Sequence, residues 1–145
     1  MKISIIIPVY NAQQYIEECV ASVRRQTLKD LEILCVDDGS MDDSLKILHS
    51  LQERDQRIRI IEQINQGAGR ARNNALSYAE GEYVFFLDAD DYLLDDSALE
   101  KMYYACALNN VKICGAFRSC ERQGRIVAMN LHRQECTGYP DGIKL

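Results

Sequence analysis

No block of five or six like charges occurs in this sequence, and no apolar run approaches the length needed to cross a bilayer. With 17 basic and 22 acidic residues, the net charge of -5 leaves neither a nucleic-acid footprint nor a polybasic membrane patch. The opening "MKISIIIPVYNA" offers a lysine and an apolar stretch, but Ser4 interrupts Ile3 to Ile7 and Pro8 stops it. That stretch is too short for a signal-peptide core or a membrane span, and it reads as a buried first strand. The six cysteines include no C-x-x-C pair, which sets aside the usual zinc and redox spacings. They read as small buried hydrophobes in a reduced compartment, with the cytoplasm or the inner face of the membrane as the location. Histidine occurs only as His49 and His132, far apart, so no Ser/His or Cys/His arrangement can be built on spacing. Repeats with a period of about 20 to 50 residues and low-complexity tracts are also missing.

What is present fits one globular domain. At 145 residues, with 47% hydrophobic and 27% charged residues, the chain can enclose a single core and has little room for a second. Apolar runs alternate with helix-period segments. Strands are expected at 3–9, 31–36, 58–61, 82–87 and 111–117, with an edge strand in "RQGRIVAM". Helices are expected after Asn11, which with Gln14 resembles a cap; after Ser40 with Asp43; over about 70–79, ended by a left-handed Gly81; and after Ser97 with Glu100. Strictly alternating strands and helices imply an α/β fold: a mainly parallel sheet, right-handed crossovers and helices on both faces.

Four polar clusters then fall at four strand ends: "PVYN", "DDGS", "NQGAGRARN" and "DADD". In a parallel sheet those ends share one edge, so the clusters converge on one crevice. Asp88 and Asp90 can share a hard divalent cation, Mg²⁺ or Mn²⁺, completed by ligand phosphates and water, or they can form a solvated loop and helix entry. Asp37 and Asp38 can accept from a base N–H or ribose hydroxyls, or can serve the turn made by Gly39 and Ser40. Arg70 and Arg72 can meet phosphate beside the amides of Gly67 and Gly69, or lie on a solvated helix face.

Taken in order over about residues 3–95, "SIIIPVYN", "LEILCVDDGS", "NQGAGRARNNAL" and "EGEYVFFLDADD" resemble the N-terminal, nucleotide-binding half of a family 2 glycosyltransferase with the GT-A fold. The resemblance implies a Rossmann-like GT-A half, truncated: one nucleotide-diphospho-sugar-binding domain over 1–145, its core at about 3–117 and the acceptor-binding part beyond it. It implies sugar transfer with inversion from a nucleotide diphosphate sugar, often a UDP-sugar, to a saccharide or other hydroxyl acceptor. By the same resemblance Pro8, Tyr10 and Asn11 line the nucleotide pocket, Asp38 bonds the base and Asp37 supports it. Gly67 and Arg72 close over the nucleotide, with Asn73 in the same signature. Asp90 is the direct metal ligand, and Asp88 the partner to ribose or metal-bound water, or a second ligand to the same ion. The general base of such enzymes lies well downstream of D-x-D, so it is expected beyond Leu145, and neither Asp91 nor Asp141 is assigned to it. Donor and metal binding without transfer is the expectation for the isolated chain.

Three other functions compete. A haloacid dehalogenase-type phosphohydrolase would use the first Asp of D-x-D as nucleophile, but Tyr92 stands where Thr or Val is usual, and the acids come after the fourth strand. A dinucleotide-binding loop would need glycine where Arg72 completes Gly67-x-Gly69-x-x-Arg72. A non-catalytic nucleotide-sugar module differs from the enzyme only in the native chain beyond Leu145.

Overall fold

The computed structural model describes residues 1–110, 119–122 and 125–128. The strands β1 (Ile3–Val9), β2 (Leu31–Asp37), β3 (Ile58–Glu62) and β4 (Tyr83–Phe86) form one all-parallel sheet in the order β3-β2-β1-β4. The helices α1 (Ile16–Arg24), α2 (Ser44–Arg54) and α3 (Ala68–Leu76) make the three crossovers, and α4 (Ala98–Asn109) comes after β4. The residues divide into two compact units, Met1–Glu100 and Lys101–Leu145. The second contains an antiparallel hairpin of β5 (Ser119–Arg122) and β6 (Arg125–Ala128), with Arg122 opposite Arg125. The strand expected at 111–117 lies outside the described residues.

β1 and β2 are buried along their whole length, as central strands covered on both faces must be, and their β-branched and leucine content supplies that surface. Side chains alternate between the faces. Ile6, Leu34 and Val36 pack under Ala71 and Ala75 of α3, where two small residues one turn apart let the helix sit close. Ile5, Ile7, Ile33 and Cys35 point to the opposite face, where Cys19 of α1 lies near Cys35 and α2 packs on β2 and β3. No helix among the described residues is long and apolar enough to cross a membrane.

The chain starts inside the sheet, steps outward to β3, then returns past β1 to place β4 on its other side. β1 and β4 therefore flank the switch point of the sheet, beyond whose carboxyl ends the ligands of open α/β sheets bind.

The helix starts differ from their sequence reading. Asn11 does not cap α1; the helix begins after Tyr15 with no side-chain cap, and Asn11 sits at φ +48° with its side chain turned to another loop. Ser40 and Asp43 do not form a capping box either. The amides leading into α2 are met from far away, Met41 N–H by Asn11 Oδ1 at 2.8 Å and Asp43 N–H by Gln13 Oε1 at 3.0 Å, while Asp42 Oδ1 accepts from Ser44 N–H, the first of the helix, at 2.9 Å. Nor do Ser97 and Glu100 bond each other: Ser97 Oγ donates to Asp95, and Glu100 accepts from Thr27 Oγ1.

Gly81 is not left-handed, since positive φ among the glycines occurs only at Gly39 and Gly67 within the described residues. Its need for glycine is spatial. An added Cβ would come within 2.7 Å of the Ile3 carbonyl carbon and 2.8 Å of Ser4 Oγ. There the strands begin on a buried polar network. Gly81 N–H donates to Ser4 Oγ, whose hydroxyl donates to Glu32 at 2.6 Å, and Arg59 donates to Glu32 at 3.0 Å and to Glu80 at 3.3 Å. The buried Glu32 carboxylate is thus answered by a cation and two further donors, the condition for burying a charge.

Candidate active site

At the carboxyl edge of the sheet, the segments after β1 and β4 and the start of α3 line a cleft of about 390 Å³. Pro8, Tyr10, Asn11, Arg72, Asp88 and Asp90 all line it, so six of the residues singled out in the sequence share one cavity. Ala12, Tyr15, Ala68 and Ala89 complete the lining. Tyr15 is legible in the sequence only as a helix-stripe residue; half-exposed just before the helix, it lines the cleft instead. Tyr10 is similarly open.

Asp88 is answered by the guanidinium of Arg72, which donates to Oδ1 at 2.5 Å. Arg70 does not share the cleft, because two positions along a helix turn the side chain to the far side. Asn73 is likewise exposed and outside the lining. Asp90 is exposed at the rim with no hydrogen bond or ion pair among the described residues. Asp91 N–H closes a turn on the Asp88 carbonyl at 3.0 Å, which shapes the D-x-D loop.

Asp37, Asp38 and Gly67 adjoin the cleft without lining it. Asp38 fastens the glycine loop: Oδ1 accepts from Gln63 Nε2 and Gln66 N–H, and Oδ2 from Gly67 N–H, each at 2.8 Å. Burial opposes its ionisation, yet the Gln66, Gln63 and Gly67 donors outweigh that and hold its carboxyl below the usual carboxylate value. A carboxylate offers about four lone-pair sites, so Asp38 keeps room for one more donor. Asp37 Oδ2 accepts from Ser40 N–H at 3.1 Å, while its Oδ1 is buried without a partner. Such an orphan oxygen is costly, and marks a place where an incoming N–H or O–H gains most. Gly39 makes the turn possible at φ +72°, with Asn65 N only 3.0 Å from where a Cβ would stand.

A second tie joins the loops after β1 and β2. Ser44 Oγ accepts from Ala12 N–H at 2.8 Å, Ser40 Oγ from Asn11 N–H at 3.1 Å, and Asp42 from Gln13 N–H at 3.1 Å. Burial pushes the Asp42 carboxyl up, but the Ser44 hydroxyl and amide with the Gln13 amide prevail and lower it. Asn is a residue that tolerates the left-handed conformation Asn11 adopts, and this cross-loop pairing holds it there.

Beneath the acids lies Cys19. Burial first, then the neighbouring Cys35 and the Asp91, Asp90 and Asp88 charges, drive its thiol pKa far upward, and burial pushes Cys35 up to about 12. Both stay neutral and unreactive at physiological pH, in keeping with a packing role. No group of three or more His, Cys, Asp or Glu side chains among the described residues is arranged to enclose a metal.

A switch-point crevice lined by paired acids, an arginine and two tyrosines defines an α/β domain with a candidate ligand site at its sheet edge. Residues 4–139 match the family described as Glycosyl transferase family 2, and the chain belongs to that family. Glycosyltransferase EpsJ of Bacillus subtilis (strain 168), itself named as uncharacterized, is 36% identical over 141 residues, covering 96% of this chain and 41% of EpsJ. Among solved structures, TarS of S. aureus in complex with UDP-GlcNAc superposes with a TM-score of 0.70 at 34% identity, over 76% of this chain and 32% of that one. Mannosyltransferase PcManGT from Pyrobaculum calidifontis, in complex with GDP-Man and Mn²⁺, superposes with a TM-score of 0.63 at 29% identity, over 66% of this chain and 29% of that one. The chain thus spans less than half the length of these relatives. The GT-A, Rossmann-like fold expected from the four motifs is the one observed. Family membership also sets aside the phosphohydrolase and dinucleotide-binding readings.

Proposed function

We propose that this chain forms the donor-binding part of an inverting glycosyltransferase that moves a sugar from a nucleotide diphosphate sugar, a UDP-sugar, to an acceptor hydroxyl. The observation carrying this reading is the convergence of Asp88, Asp90 and Arg72 with Pro8, Tyr10 and Asn11 on one cleft beside the acid pair Asp37 and Asp38. The UDP-GlcNAc bound by TarS supports the donor class.

In this reading the base and ribose take the Asp37–Asp38 end, where Asp37 Oδ1 and the remaining lone pair of Asp38 can accept. The diphosphate lies toward Arg72 and Gly67. A divalent cation, Mn²⁺ or Mg²⁺, fits the donor set: Asp90 is open, Asp88 stands behind it, and one or two carboxylates plus phosphate oxygens are what such ions use. Asp90 and Asp88 would hold such an ion, which would supply positive charge beside the departing diphosphate. The Mn²⁺ in PcManGT supports that choice. Arg72 places a second positive charge at the same spot, so this chain's own residues stabilise the leaving group electrostatically. No described residue is assigned as the base that deprotonates the acceptor. The cytoplasm or the inner face of the membrane is the proposed location, in keeping with the buried thiols of Cys19, Cys35 and Cys106.

Calorimetry with UDP, GDP and dTDP, with and without Mn²⁺, tests the reading. Mn²⁺ should strengthen UDP binding to the wild type, and Asp90→Ala should lose that gain. Equal Mn²⁺-dependent affinity in the variant would sink the assignment of Asp90.

A further inference from the structure

The stretch from Asp88 to the start of α4 has almost no regular structure, yet Leu93 in it is buried, as is Leu99 in the first turn of α4. A buried irregular segment must find partners for its backbone groups. It finds them on one face of α1 and just past its end, where Gln26 lies. Cys19 Sγ donates to the Asp88 carbonyl at 3.5 Å, and Ser22 Oγ accepts from Leu93 N–H at 3.0 Å. Gln26 Nε2 donates to the Asp95 carbonyl at 2.9 Å while its Oε1 accepts from Leu99 N–H at 3.0 Å. Just past the helix, Thr27 N–H donates to the Asp96 carbonyl at 2.7 Å.

Ser22 and Gln26 are both 0% exposed. At helical spacing those positions would suit apolar residues, and a buried amide is tolerated only when its bonds are made. Gln26 makes them at both ends, with Nε2 also reaching the Ser22 carbonyl at 3.3 Å. Neither side chain lines the cleft. Their bonds instead fix the path of the loop whose first turn presents Asp88 and Asp90.

The geometry points to Ser22 and Gln26 as positioning residues that hold the D-x-D loop in the shape that receives the metal-bound diphosphate, a role that rests on the donor-site reading above. Side chains that orient metal ligands from behind affect metal affinity by about 10- to 100-fold. Gln26→Glu keeps an acceptor for Leu99 N–H but loses the donor to Asp95, and Gln26→Met keeps the volume with neither bond. Ser22→Ala removes the acceptor for Leu93 N–H together with the hydroxyl's own bond to the Cys19 carbonyl, and is the smallest change in volume.

UDP affinity measured by calorimetry with Mn²⁺ and without it, alongside thermal unfolding of each variant, tests this. Gln26→Met should weaken Mn²⁺-dependent UDP binding about tenfold and Ser22→Ala less, while metal-free UDP binding, held at the Asp37–Asp38 end, changes less than about twofold. Gln26→Glu, whose second carboxylate oxygen would face the Asp95 and Ser22 carbonyls without a proton to give, should lose at least as much as Gln26→Met. A parallel loss of both affinities would mean a general packing role and overturn the inference, as would wild-type Mn²⁺ dependence in folded Gln26→Met and Ser22→Ala. If the wild type itself gains no affinity from Mn²⁺, the donor-site reading fails first and takes the inference with it.

Discussion

Replacing Asp38 by alanine removes the acceptor of three hydrogen bonds, from Gln63 Nε2, Gln66 N–H and Gly67 N–H, each 2.8 Å long. Bonds to a charged group contribute about 1.5–3 kcal/mol where the freed donor stays buried. Gln66 and Gly67 are exposed, so their amides can turn to water, and about 1 kcal/mol for each bond is the appropriate scale. The sum, about 3 kcal/mol, corresponds to a fall in Tm of roughly 10 °C for a domain of this size. Asp38→Asn should cost about half as much: its carbonyl oxygen can keep Gln63 and Gln66, but its amide confronts the Gly67 N–H, donor against donor. Because the folded-state pKa of Asp38 is lowered, its stabilisation is complete above the ordinary carboxylate range and fades as pH falls through the lower folded value. The wild-type advantage should therefore shrink below about pH 4. Urea unfolding at pH 7 and pH 3 with amide exchange at Gln66 and Gly67 reads all of this. A loss under about 0.5 kcal/mol at pH 7, with exchange at both amides unchanged, would refute the view that Asp38 fastens the loop.

Two further outcomes concern the other end of the sheet and its flank. Gly81→Ala should lower stability by about 1–3 kcal/mol in a thermal melt, since the new methyl meets backbone at Ile3 and Ser4; a neutral effect would show that the strand beginnings yield easily. Asp55 is held at about 2, first by hydrogen bonds from Arg57 and further by Arg24, so its contribution, on the order of 1 kcal/mol after allowance for solvent screening, should be present above about pH 4 and vanish toward pH 2. Asp55→Asn should flatten that part of the acid-stability curve, and a curve identical to wild type would remove Asp55 from the account.

The strands could be read from the chain because β-branched runs of four to seven residues have few other uses in a globular protein. Convergence of the polar clusters came from parallel topology alone. The partnerships across loops are where pattern and structure part. Asn11 looks like a helix cap because Asn so often is one, and only the fold shows its side chain serving the start of α2, 30 positions on. The cation facing Asp88 could have been an added ion or either arginine; the phase of α3 decides for Arg72 over Arg70. Gln26 carried no signal, since a polar residue near a helix end reads as solvated until an irregular segment is found packed over it. Gly81 was recognisable as a position needing glycine but for the wrong reason, a close approach replacing a left-handed turn.

The reciprocal bonds between residues 11–13 and 40–44 have a consequence for protein engineering. Each loop supplies what the other lacks: Asn11 and Gln13 side chains for the amides of Met41 and Asp43, and Ser40, Asp42 and Ser44 side chains for the amides of Asn11, Gln13 and Ala12. Distant in the chain, they are one heritable module. A chimera that takes either segment from a relative without the other would leave several amides unmatched at the mouth of the cleft, so recombination breakpoints belong outside this pair of loops and both segments must be exchanged together.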